Sequence, residues 1–76
     1  MKGYILVKLV PGLEKDAITH IRNISGVSDV TLLFGEWDVI TEVEAKTLHE
    51  MARVVVGEIR GIQGVQDNTT LIEAEM

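Results

Sequence analysis

Residues 24 to 29 read ISGVSD and residues 62 to 67 read IQGVQD, so one hexapeptide pattern occurs twice in the chain. The two copies begin 38 residues apart, which is half of the 76-residue length. The same offset aligns Ile21 with Ile59, so apolar positions of one half match apolar positions of the other. Self-similarity of this kind indicates two copies of one structural unit.

Each unit is predicted to fold as strand, helix, strand. Runs rich in Val, Ile and Leu indicate the strands, and Pro11-Gly12 ends the first of them. Apolar residues at helical spacing indicate the helices. In chain order the predicted elements are a strand at 3–10, a helix at 13–24, strands at 27–34 and 38–43, a helix from Thr47 to Arg60, and a strand at 65–74.

The second helix carries the clearest start signal. Thr47 followed three residues later by Glu50 matches a capping box, in which both side chains bond free backbone N–H groups. Val54 is predicted to lie off the buried stripe of this helix. The residues predicted to form that stripe are Leu48, Met51, Ala52, Val55 and Ile59.

Two strand–helix–strand units with right-handed crossovers interleave into a four-stranded antiparallel sheet with both helices on one face. The predicted fold is therefore α+β, ferredoxin-like, with the order βαββαβ. We expect residues 1–76 to form a single domain.

The sheet face opposite the helices is predicted to be apolar. Side chains alternate along a strand, yet the first strand has apolar groups on both sides, with Leu6 opposing Ile5 and Val7. The second strand is expected to do the same, with Val30 and Leu32 opposing Val27. Such a patch marks a protein contact, so we expect a dimer whose sheets pack face to face, as in dimeric α/β barrels. The alternative is that both strands carry surplus β-forming residues.

Composition excludes several functions. The net charge is −5 and the seven basic residues are scattered, whereas nucleic-acid binding needs clustered Lys and Arg. The chain has no cysteine, and its two histidines lack a matching carboxylate pair, so neither a metal nor another cofactor is predicted. No signal peptide or membrane-length apolar run is present. We therefore expect a cytoplasmic protein that binds neither DNA nor membranes directly.

In order and spacing, the motifs resemble the RAM domain (regulation of amino acid metabolism) of the prokaryotic Lrp/AsnC transcription regulators. The I-x-G-V-x-D turn, the Gly35-x-aromatic-Asp38 hairpin and the Thr69-Thr70-x-Ile72 strand carry the resemblance. Full-length members place a helix-turn-helix domain before this module, whereas Met1 here leads directly into the first strand. The chain is therefore expected to resemble the stand-alone RAM proteins.

This resemblance implies a non-enzymatic module that binds an amino-acid effector, forms homodimers and higher oligomers of dimers, and modulates transcription regulators. A full-length regulator of the family is one partner that it suggests. In the family, effectors bind in clefts at the hairpin between dimers. By resemblance, the effector-binding residues are Gly35, Glu36, Trp37, Asp38, Thr69 and Thr70.

Chemistry gives each of these residues a plausible role. A carboxylate would bind the ammonium group of an amino acid, since charge-assisted hydrogen bonds are about twice as strong as neutral ones. Backbone N–H groups around Gly35 would receive the effector's carboxylate, and Trp37 would supply an apolar wall. Only one of Thr69 and Thr70 can face a given cleft, because strand residues alternate; Thr70 is preferred.

Purely structural interpretations stay open for the same residues. Gly35 supplies the positive φ of a tight hairpin, and Asp38 bonds a nearby backbone amide. Trp37 then lies over the sheet edge, although its burial is worth about 4–6 kcal/mol at most, which favours contact with another subunit. The two threonines are then ordinary β-branched strand residues.

Two other functions also remain open. An ACT-like amino-acid-binding domain is a second reading, because Pro11-Gly12 resembles the turn that opens the first helix of those domains. A small enzyme of the acylphosphatase or dimeric-barrel monooxygenase type is the third. Glu36 and Asp38 would be its acid–base pair, but no nucleophile accompanies them.

Overall fold

Strands and helices follow one another in the predicted order βαββαβ. The computed structural model describes residues 1–74, with the backbone alone at Val56. The elements are β1 (Lys2–Leu9), α1 (Glu14–Arg22), β2 (Val27–Leu32), β3 (Val39–Glu44), α2 (Leu48–Val54), which continues as a π-helical turn (Val55–Ile59), and β4 (Val65–Ile72). Each boundary lies within a few residues of the predicted one, except in the second helix.

The four strands form one antiparallel sheet in the order β2-β3-β1-β4. Ile5 and Val7 of β1 point to the helix side and are fully buried, together with Ile21 of α1 and Met51 of α2. One core therefore lies between the sheet and both helices. The predicted ferredoxin-like fold is confirmed.

Burial and turn geometry follow the internal repeat. The aligned residues Ile21 and Ile59 are both fully buried. Gly26 and Gly64, 38 residues apart, have φ angles of 100° and 104°, and each one precedes a strand. The two units therefore share one backbone design, in which glycine takes up the left-handed conformation at the helix-to-strand turn.

Thr47 caps the second helix as predicted: its hydroxyl accepts a hydrogen bond from the Glu50 amide at 3.0 Å. The Glu50 carboxylate in turn accepts from the Lys46 amide at 3.1 Å, one residue before the position that a capping box uses. Two free amides at the start of the helix are satisfied in this way.

The predicted buried stripe of the second helix is wrong at three positions. Leu48 is 57% exposed and Ala52 is exposed, whereas Val54 is only 8% exposed. The π-helical turn explains the shift, because it uses more residues per turn than the 3.6 of an α-helix. Ile59 is thereby rotated back toward the side of Met51 and Val54, and the stripe moves with it.

A β-bulge changes which side chains of β2 face the helices. The register shifts between Val27 and Asp29, so Val30 and Leu32 pair with buried residues of β3 and lie on the helix side together with Val27. The expectation that Val30 and Leu32 oppose Val27 is therefore wrong. The outward positions of β2 are occupied by the polar residues Asp29 and Thr31.

The open face of the sheet is consequently apolar only along its middle. Tyr4, Leu6 and Ile40 are half-buried there, and Leu71 beside Tyr4 is 51% exposed. None of the helices within residues 1–74 is long and apolar enough to cross a membrane.

Candidate functional site

The β2–β3 connection is a hairpin anchored on the end of β1. The Leu33 amide donates to the Asp38 carbonyl at 2.9 Å, and the Asp38 amide donates to the Val7 carbonyl at 2.9 Å. Gly35 has a φ of 138°, in the region that favours glycine. The predicted structural role of Gly35 is therefore confirmed.

Asp38 also bonds a backbone amide, as its structural interpretation requires. Its Oδ2 accepts a hydrogen bond from the Leu9 amide at 2.8 Å, in a partly buried position. The register between β1 and β4 shifts between Lys8 and Leu9, so the carboxylate holds the strand where it changes pairing. Its second oxygen, Oδ1, has no hydrogen-bond donor among the residues that the structure describes.

A pocket of about 250 Å³, here called the hairpin pocket, opens between α1 and the β2–β3 hairpin. Apolar side chains form most of its lining, and two carboxylates lie among them. Glu14 Oε1 accepts a hydrogen bond from the Gly12 amide at 2.6 Å, so Glu14, like Asp38, has one carboxylate oxygen in a hydrogen bond to its own backbone. The lining residues are Leu9, Glu14, Ile18, Leu32, Leu33, Phe34 and Asp38.

This lining suits a ligand that has an apolar part and a positive group. The apolar side chains would bury hydrocarbon, and the two acids would receive an ammonium group. The volume is below the roughly 300–1,000 Å³ of pockets for drug-sized ligands. A ligand of the size of one amino acid therefore fits better than a larger one.

Of the six predicted site residues, only Asp38 lines the hairpin pocket. Gly35, Glu36 and Trp37 lie on the same hairpin but outside this lining, and Trp37 is half-buried within the single chain. The aromatic ring without cover is Phe34, whose relative exposure is 108%. Contact with another subunit would therefore bury more aromatic surface at Phe34 than at Trp37.

Thr69 and Thr70 lie elsewhere on the sheet. They pair with Leu6 and Ile5 on one side of β1, whereas the hairpin leads into β3 on the other side of β1. Two strand spacings of about 4.8 Å separate β4 from β3, so the two threonines lie roughly 10 Å or more from the hairpin. Thr69 is on the open face and Thr70 on the helix side, so one chain does not bring them to the hairpin.

Sequence reasoning missed the apolar part of the hairpin pocket. Strand alternation predicts Leu32 on the open face, and the bulge places it on the helix side instead. A usable signal was the run Leu32-Leu33-Phe34, three consecutive apolar residues directly before a turn. Ile18 gave no such signal, because its contact with the hairpin depends on how α1 crosses the sheet.

Charges at the opposite end of the sheet form a separate group. The Lys2 ammonium lies 3.3 Å from Glu42 and 3.9 Å from Glu44. The hydrogen bond and charge of Glu42 hold the pKa of Lys2 above its ordinary value. Within residues 1–74, no group of three or more His, Asp or Glu side chains is arranged to hold a metal ion.

The fold and hairpin are those of a small ligand-binding domain. Residues 2–75 match the model of the Lrp/AsnC ligand binding domain, and the chain belongs to that family. Over 73 residues it is 35% identical to an uncharacterized HTH-type transcriptional regulator of Pyrococcus horikoshii, covering 92% of this chain and 49% of the relative. The chain thus spans about half the length of the curated relatives it matches.

Solved structures show the same fold. The crystal structure of FFRP-DM1 superposes with a TM-score of 0.91 at 25% identity, covering 96% of this chain and 97% of that one. A Neisseria meningitidis transcriptional regulator in complex with L-Met superposes with a TM-score of 0.89. Its identity is 18%, and the match covers 97% of this chain and 49% of that one, so this likeness is one of fold.

Proposed function

We propose that this chain is a non-enzymatic module that binds a small amino-acid effector at the hairpin pocket and assembles with copies of itself. The observation that carries the proposal is the apolar pocket with two carboxylates, Asp38 and Glu14, at its rim. Membership of a ligand-binding family and the L-Met complex of a relative support it.

In the proposed complex, the effector's side chain packs on Leu9, Ile18 and Leu32. Its ammonium group is held by Oδ1 of Asp38 and the free oxygen of Glu14, since the other oxygens bond backbone amides. Phe34 lines this pocket and its ring is exposed, so a second chain that covers the ring also closes the pocket.

Assembly completes the site in this proposal. Glu36, Trp37 and the Thr69–Thr70 pair do not line the pocket of their own chain, and we propose that a neighbouring chain supplies them. An effector bound between chains stabilises the assembly by linkage, because it binds the assembled form and not the separate chains. The output would be altered association with a partner such as a full-length Lrp/AsnC regulator. The ACT-like and enzymatic alternatives have no comparable support, because the family that matches residues 2–75 is the Lrp/AsnC ligand binding domain.

The test is binding of each common L-amino acid, beginning with L-methionine, measured by calorimetry together with light scattering. Asp38→Asn keeps an oxygen for the Leu9 amide but removes the charge, so we expect affinity to fall about tenfold or more. Asp16→Asn is the matched control, since Asp16 is an exposed acid of α1 outside the hairpin pocket.

Equal affinity of the Asp38→Asn and Asp16→Asn proteins would contradict the proposed site. Absence of any amino-acid response, together with an oligomer of constant size, would leave an assembly module without a sensor role. Phe34→Ala should reduce the scattering mass if its ring is covered by another chain.

A further inference from the structure

A larger pocket of about 470 Å³ lies on the helix side, between the end of α1 and the π-helical turn. It is separate from the hairpin pocket and shares no lining residue with it. We call it the two-fold pocket. Its lining residues are His20, Asn23, Ile24, Ser25, Gly57, Glu58, Gly61 and Ile62.

Equivalent positions of the two repeat units face each other across this pocket. Six of the lining residues form three pairs that are 38 residues apart, the offset of the internal repeat. The pocket therefore straddles the internal two-fold axis, and its two walls differ in their side chains and, at the π-helical turn, in their backbone. The pairs are His20 and Glu58, Asn23 and Gly61, and Ile24 and Ile62.

The π-helical turn forms one wall and has no counterpart in the first unit. The Arg60 amide donates to the Val55 carbonyl at 3.0 Å, five residues back, whereas α1 stays α-helical at the equivalent residues. A Cβ added at Gly57 would contact Arg53 Cγ at 4.0 Å, and one at Gly61 would contact the Gly57 and Glu58 carbonyl oxygens at 3.9 Å, so a methyl group fits at either position without a clash. The two glycines leave the backbone of this wall without side chains of its own at these positions, and π-turns of this kind are frequent at functional sites.

The two walls carry complementary chemistry. His20, Asn23 and Ser25 present hydrogen-bond donors; the Asn23 amide nitrogen uses one hydrogen on the Thr19 carbonyl at 2.8 Å and keeps the other. The opposite wall presents the Glu58 carboxylate. Among the described residues, every ion pair within 4.0 Å involves Lys2, so Glu58 has no cation at that distance.

We propose that the two-fold pocket binds a small zwitterion, with its ammonium group on Glu58 and its carboxylate on His20 and Asn23. The apolar part of the ligand would rest on Ile24 and Ile62, which form the buried floor. Because the two walls differ in chemistry, only one orientation of such a ligand places both charges on partners. This site stands independently of the hairpin pocket and would be a second ligand position on each chain.

Amide chemical shifts of the full chain in NMR titrations test the proposal. The probes are the common L-amino acids, taken singly, and for each binder the amine without its carboxylate and the acid without its ammonium group. We expect saturable shifts at Gly57, Gly61 and Asn23. Each truncated analogue should bind about tenfold or more weakly, because one charge-assisted contact is lost.

Glu58→Gln should weaken the response at the two glycines about tenfold or more, whereas Asp29→Asn, an exposed acid outside this pocket, should not. Unshifted amides at Gly57 and Gly61 with every probe would overturn the proposal, as would equal binding by the Glu58→Gln and Asp29→Asn proteins. Shifts confined to residues 33–38 would also overturn it while supporting the hairpin pocket. If Asp38→Asn abolishes the shifts at residues 33–38 but not those at Gly57 and Gly61, the result supports the two-fold pocket as a separate site.

Discussion

Thr41 lies in the middle of β3 on the helix side, where it is fully buried among apolar side chains. Its hydroxyl has no hydrogen-bond partner among the described residues. An unsatisfied buried polar group costs about 1–3 kcal/mol relative to a paired one. The Thr41 hydroxyl therefore weakens the core of this small fold.

Replacing Thr41 by Val should raise the free energy of unfolding by about 1 kcal/mol, because valine has a similar shape and no polar atom. Urea unfolding at a fixed protein concentration measures this change. The control is Thr31→Val on the open face, where the hydroxyl is exposed and bonds the Asp29 carboxylate at 2.9 Å. A Thr41→Val protein that is less stable than wild type would show that the hydroxyl has a partner in solution.

Asp38 shows how far a single residue can be predicted. The Gly-x-aromatic-Asp pattern indicates a structural role through its turn chemistry, and the binding role is implied only by the resemblance to the RAM domain. The observed bond to the Leu9 amide satisfies the structural role and occupies one oxygen. Which amide it would bind could not be predicted, since Leu9 and Asp38 are 29 residues apart and meet only through β1–β3 pairing.

At the scale of the elements, two glycine turns lie next to α1: Gly12 between β1 and α1, and Gly64 before β4. Gly64 has a φ of 104°, and an added Cβ would lie 3.1 Å from the Leu13 Cβ and 3.2 Å from the Ala17 Cβ. Gly12 has a φ of 92°, but a Cβ there would meet nothing within 4 Å. A substitution at Gly12 therefore introduces backbone strain alone, whereas a substitution at Gly64 introduces both backbone strain and steric crowding.

Gly12→Ala should therefore cost about 1–2 kcal/mol, the strain of a left-handed conformation alone. Gly64→Ala should cost about 1 kcal/mol or more beyond that, because it also pushes α1 away from the turn. Chemical unfolding of both proteins under the same conditions gives the difference. Equal losses would mean that α1 moves freely enough to accept the methyl group.

The second helix shows why side-chain patterns alone predicted the wrong face. Its sequence pattern fits a regular α-helix with Leu48 and Ala52 in the stripe, and only a wider turn brings Val54 into the core. Nothing local marks the VVGEI segment as a π-turn. Helix propensities differ by only tenths of a kcal/mol for most residues, so packing against the sheet decides such a detail.

At the scale of the whole molecule, the open face of the sheet is the surface on which a single chain leaves apolar side chains only partly buried. Tyr4, Leu6 and Ile40 form an apolar strip in its middle, with charged residues such as Lys2 and Glu42 at one end. A chain of this size hides only about 60% of its unfolded surface. Covering the strip with the sheet of a second chain would bury apolar surface and so increase the small free energy of unfolding expected for a chain of this size.

If copies pair through this face, the midpoint of thermal unfolding should rise with protein concentration. Leu6→Glu should remove that dependence and lower the scattering mass to that of one chain, since two carboxylates would meet in the interface. Thr19→Glu, on the exposed surface of α1, is the control. A midpoint that is independent of concentration in the wild-type protein would contradict pairing through the open face.

The order of elements, the internal repeat, the fold and the family could all be inferred from the residues, because they depend on periodicity, caps and turn glycines that act within a few neighbours. The bulge that places Leu32 on the helix side of the sheet, the π-turn that follows the buried Val54, and the pocket that Asp38 and Ile18 line together are decided only in the folded chain. Each depends on strand register and helix placement, which are set by contacts between residues far apart in sequence. For the same reason Thr69 and Thr70, which match the family motif in sequence, lie about 10 Å or more from the hairpin within one chain.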